Sequence, residues 1–120
     1  MTRIGYALSS EEHRPADLVR NAAEAEQAGF EFALISDHFH PWADVQGHSP
    51  FVWTVLGGIA GSTSSLEVGT GVTCPLIRMH PAIVAHAAAM PTRVGAATSR
   101  ASARRTSFAV PSMTSTPPIL

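Results

Sequence analysis

Three short apolar runs divide the chain: Ile4–Leu8, Phe30–Ser36 and Leu66–Val72. Each is bounded by polar, Gly or Pro residues, and each reads as a strand. In the second run the apolar side chains are consecutive rather than alternating, the pattern of a parallel strand covered on both faces. Between the runs the period changes. Leu18, Val19, Ala22, Ala25 and Ala28 recur at helical spacing, while Asp17, Arg20, Glu24 and Gln27 take the other side. Pro15 suits a first helical turn, where its missing N–H has no partner to lose. Gly29 is the expected C-terminal stop. A second helix is expected from Phe51 through Ala60, opened by Pro50; Gly57, Gly58 and Gly61 lower its propensity but permit close packing. Pro81 opens a third, with Ile83, Val84 and Ala87 on one face.

The strands fall about 30 residues apart, with a helix after each. That rhythm predicts parallel βαβ units and an α/β fold. The pattern fades near Met90. Residues 91–120 hold ten Ser or Thr, five Ala, four Pro, four Arg and no acid. This composition predicts a disordered, low-complexity tail following a domain over 1–90.

Charge adds little beyond this split. The net charge is −1, with every basic side chain an Arg. Residues 1–90 carry four Arg and nine acids, −5, and the tail carries +4. Neither points to nucleic acid: the tail's charges are scattered, and Phe108 is its one base-stacking side chain. No apolar run approaches the roughly 20 residues of a membrane span. The single cysteine, Cys74, excludes an internal disulfide and fits a reducing compartment, so a cytoplasmic protein is expected.

The chemistry concentrates just after the second strand, in Ser36-Asp37-His38-Phe39-His40-Pro41-Trp42. Ligands of strand–helix proteins bind where parallel strands end. His38 suits general-base work or polarisation of an alcohol near neutral pH. Asp37 is read either as a cap of the following turn or as an acceptor for a ligand N–H. Trp42 is read either as packing or as a stacking surface. His38 and His40 also form a His-x-His pair, as in zinc-dependent barrel hydrolases, though no further ligand is evident. Cys74 reads as a small buried hydrophobe.

Three blocks together resemble the luciferase-like flavin and deazaflavin oxidoreductases, in particular the group that includes the coenzyme F420-dependent glucose-6-phosphate dehydrogenases. They are Ala25–Phe30 running into the heptapeptide, Gly47–Trp53, and Gly69–Pro75 followed by Arg78 and His80-Pro81-Ala82. The resemblance implies a (β/α)8 TIM barrel with F420, or alternatively FMN, over the C-terminal ends of the strands. It implies His38 beside the hydride-exchanging carbon and Trp42 close to the substrate. Asp37, Gly71, Val72 and Cys74 are placed along the cofactor, with a cis peptide at Gly71–Val72. A small-molecule substrate such as a sugar phosphate is implied, and a homodimer for the intact family. A complete barrel of this type needs about 250 residues. The chain has 120, so an incomplete barrel of three strand–helix units is expected, from a truncated or frameshifted gene.

Overall fold

A computed structural model describes residues 2–98. Three parallel strands, β1 (Gly5–Leu8), β2 (Phe32–Ile35) and β3 (Glu67–Thr70), form one sheet in the order β1-β2-β3. The register aligns Tyr6 with Ala33 and Val68, and Leu8 with Ile35 and Thr70. Helices α1 (Pro15–Gln27) and α2 (Val52–Ser62) connect the strands. A single turn, α3 (Pro75–Arg78), and a long helix, α4 (Pro81–Thr98), follow β3. The expected mixed α/β fold with parallel strands is therefore present; β2 and β3 are shorter at both ends than their apolar runs, and β1 is shorter at its N-terminal end.

Helix α1 ends as its sequence dictates. Gly29 adopts φ +92°, a left-handed conformation that costs a residue without Cβ little. The Gly29 N–H reaches the Glu26 carbonyl at 3.0 Å and the Phe30 N–H reaches Ala25 at 3.1 Å, closing a Schellman motif. The chain then enters β2 directly.

The core lies between one face of the sheet and the helices. Leu18 and Ala22 of α1, Ala33 and Ile35 of β2, and Val52, Leu56 and Ile59 of α2 are its buried centre. The opposite face carries Phe32 and Leu34 beside Gly5 and Gly69, and Leu34 is 45 % exposed there. Consecutive apolar residues in β2 implied cover on both faces. Among the described residues only the helix-bearing face has it.

Helix α4 departs from expectation in two ways. Val84, Ala87 and Ala88 pack on the core, whereas Ile83 is 56 % exposed, so the inward face is rotated from the one expected. The helix also passes Met90 and continues to Thr98. Pro91 and Gly95 lower helix propensity here and no amphipathic period marks this stretch, so its sequence does not foretell the extension. The remainder of the expected tail, 99–120, lies outside the described residues.

Candidate functional site

The C-terminal ends of the three parallel strands bring together segments far apart in sequence. β1 delivers Ser9, Ser10 and Glu11; β2 delivers Ser36, Asp37 and His38; β3 delivers Gly71, Val72 and Thr73. Because parallel strands share a direction, these exits share one edge of the sheet. The Gly71–Val72 peptide bond there is cis, as the resemblance implied.

Glu11 is the residue that sequence reasoning missed. It sits in a polar stretch that reads as loop, yet it is 3 % exposed. Its carboxylate accepts hydrogen bonds from Ser36 Oγ at 2.7 Å and Ser9 Oγ at 3.2 Å, and Ser10 Oγ lies 3.1 Å from it. It also accepts the Nδ1–H of His38. Burial opposes ionisation, but the Ser36 hydroxyl, a backbone N–H and His38 outweigh it and hold the carboxyl at about 2, from a usual 4.5. Glu11 is thus a carboxylate throughout the neutral range. One signal in the sequence would have found it: an acid three residues beyond a parallel strand lies on the same edge as the heptapeptide.

His38 is oriented by this contact. With Nδ1 donating to Glu11, a neutral ring leaves Nε2 as an acceptor. Its backbone carbonyl is held by Ser49 Oγ, and the indole of Trp42 meets the ring edge-to-face at 5.1 Å. His38, Phe39, Phe51, Arg78 and Met79 border a cavity of about 330 Å³. Trp42 is 79 % exposed and presents open apolar surface beside His38, and Val72 is exposed as well.

Asp37 is held by contacts within the chain. Its side chain is buried and bonded on both oxygens, to Thr73 Oγ1 at 2.7 Å and to the Arg78 guanidinium. The pair ties the end of β2 to the segment after β3. Cys74 is exposed and precedes α3, so the expected small buried hydrophobe is not found. Gly71 faces Leu34, where an added Cβ would make ordinary contact at 3.5 Å. His40 meets Phe39 edge-to-face at 4.5 Å. Among the described residues no group of three His, Cys, Asp or Glu side chains is arranged to hold a metal ion, so the His38–His40 pair gains no further ligand. Also among them, no helix is long and apolar enough to cross a membrane.

The parallel βα sheet thus carries a carboxylate–histidine pair at its C-terminal edge, and comparison with known proteins specifies the family. The family model for luciferase-like monooxygenases matches residues 1–94, and the chain belongs to that family. An F420-dependent hydroxymycolic acid dehydrogenase of Mycobacterium tuberculosis is 52 % identical over 84 residues, covering 70 % of this chain and 23 % of the relative. An F420-dependent glucose-6-phosphate dehydrogenase of Beutenbergia cavernae is 44 % identical over 87 residues, covering 72 % and 26 %. Among solved structures, an F420-dependent secondary alcohol dehydrogenase in complex with an F420-acetone adduct superposes with a TM-score of 0.69 at 40 % identity. That match covers 72 % of this chain and 26 % of the other. The chain therefore spans about a quarter of the length of these relatives.

Proposed function

We propose that this chain supplies one wall of a coenzyme F420 site in an oxidoreductase that interconverts an alcohol and a carbonyl compound. The observation that carries the reading is the Glu11–His38 pair at the C-terminal edge of the sheet. The relatives named above are F420-dependent dehydrogenases, which favours the deazaflavin over FMN. The residues present fit such a group. Val72 and Trp42 offer exposed apolar surface suited to a flat ring, and His38 adds a polar ring beside Trp42.

When bound, F420 supplies the hydride-accepting and hydride-donating chemistry. The chain's own part is proton handling and placement. Loss of hydride from an alcohol carbon requires removal of the hydroxyl proton, and His38 Nε2 is the acceptor left free for it. Glu11 stabilises the imidazolium that results, as a buried carboxylate does for a catalytic histidine. Trp42, in edge contact with His38, borders the substrate. Asp37 supports the wall by fixing Arg78 and Thr73. Gly71, Val72 and Cys74 lie on the segment that would pass behind the ring. The substrate class is a small alcohol, and a sugar phosphate is the first member to test. The compartment is the cytoplasm, and the assembled enzyme is a homodimer.

Fluorescence titration of F420 with the chain tests the reading. A saturable change is expected, weakened in Trp42→Ala and weaker still for FMN. A strictly linear response to F420, or equal saturation by FMN, would overturn it.

A further inference from the structure

Beneath His38 lies a pair of serines that the proposed chemistry does not itself use. Ser10 is 1 % exposed and Ser36 is half-buried. Each hydroxyl has one proton to donate, so the distances decide where each goes. Ser36 Oγ accepts the Ser10 N–H at 2.9 Å. It lies 2.7 Å from Glu11 Oε2, 3.0 Å from Ser10 Oγ and 3.4 Å from the Leu8 carbonyl. The ionised carboxylate is both the nearest and the strongest acceptor, and it takes the Ser36 proton. Ser10 Oγ lies 2.7 Å from the Ser36 carbonyl and 3.1 Å from Glu11 Oε1, so its proton goes to the carbonyl. Oε1 is then left to His38.

We propose that Ser36 is a positioning residue for His38: its hydroxyl anchors Oε2 of Glu11, which turns Oε1 onto the Nδ1–H of His38 and leaves Nε2 unprotonated. The other charged groups near His38 are engaged elsewhere. Arg78 borders the same cavity but is held by Asp37, and His48 meets Glu11 through its backbone N–H to the Glu11 carbonyl. Ser9 Oγ, at 3.2 Å from Oε2, is farther than Ser36 Oγ at 2.7 Å and does not replace it. The functional value of this arrangement rests on the reading of His38 as the proton acceptor, but the arrangement itself is a property of the ligand-free chain.

Nitrogen-15 spectra of the histidine rings of the ligand-free chain, at about pH 8 and above the ordinary histidine titration, test it. His38 is expected as the Nδ1–H tautomer. Ser36→Ala should give averaged tautomers at His38, and Ser36→Thr, which keeps the hydroxyl, should restore the single form. Ser10→Ala should lower the melting temperature yet leave the tautomer unchanged, because its proton serves the Ser36 carbonyl. An Nε2–H tautomer in the unaltered chain overturns the proposal whether or not any variant folds. So does a Ser36→Ala chain that keeps the Nδ1–H form, or a Ser10→Ala chain that loses it. A pinned tautomer with no F420 binding sinks the functional reading alone, and F420 binding with an averaged tautomer sinks the positioning role alone.

Discussion

At the scale of single residues, Glu11 couples the site to stability. Its folded-state pKa of about 2 lies below the usual 4.5. A depressed carboxyl contributes stability that is fully present above about pH 4.5 and is lost as pH falls through the folded value. Thermal unfolding followed between those limits should therefore show a melting temperature that falls with acid. Glu11→Gln should flatten part of that fall, because a group that no longer titrates no longer links folding to protons. An unchanged slope in Glu11→Gln would show that the carboxylate is not held as described. Glu26 contributes to the same slope. Burial opposes its ionisation, but the backbone N–H groups of Ser65, Ser64 and Leu66 outweigh it, so its pKa also lies below the ordinary value. The remaining slope should be reduced by Glu26→Gln.

The elements separate what was legible in the sequence from what was not. The three strands, the α1 stop at Gly29 and the edge carrying the site follow from local patterns: apolar runs, helical spacing and a glycine at a left-handed position. The Glu11–His38 and Asp37–Arg78 pairs do not, because their members are 27 and 41 residues apart and meet only when the strands align. Glu26 is of the same kind. It lies on α1 yet gathers the N–H groups of Ser64, Ser65 and Leu66, which connect α2 to β3. Glu26→Ala should cost about 1–3 kcal/mol in chemical denaturation, since those charge-assisted bonds are lost together. The glycines of α2 look alike in sequence but differ in space. A Cβ on Gly57 meets nothing within 4 Å, whereas one on Gly58 comes within 2.9 Å of Val19 Cγ2 on α1. Gly57→Ala should stabilise by about 0.5–1 kcal/mol through helix propensity. Gly58→Ala gains the same propensity but forces the two helices apart, and should be less stable than Gly57→Ala. Equal midpoints for the two variants would show that the α1–α2 contact is looser than described.

For the whole molecule, the decisive feature is the second face of the sheet. Phe32 and Leu34 project from it, flanked by Gly5 and Gly69, which carry no side chain to shield them. The Phe32 ring lies so close to Gly5 that a Cβ there would fall 2.1 Å from it, and Arg3 lies over the same ring at 5.5 Å. Arg3 also joins Glu31 at 2.8 Å and Glu67 at 3.1 Å, so this end of the face is bridged by charge. The middle is not, and Leu34 remains 45 % exposed. Among the described residues β1 and β3 are also each paired on one side only. Open edges beside an apolar face favour association between chains. Sedimentation of the isolated chain should therefore show mass that rises with concentration. Leu34→Glu places a charge at the centre of the open face and leaves the helix-covered core untouched, so it should reduce that rise without lowering the melting temperature. A monomer at every concentration would show that this face does not drive association. Association undiminished in Leu34→Glu would shift the cause to the strand edges, where backbone pairing needs no apolar side chain.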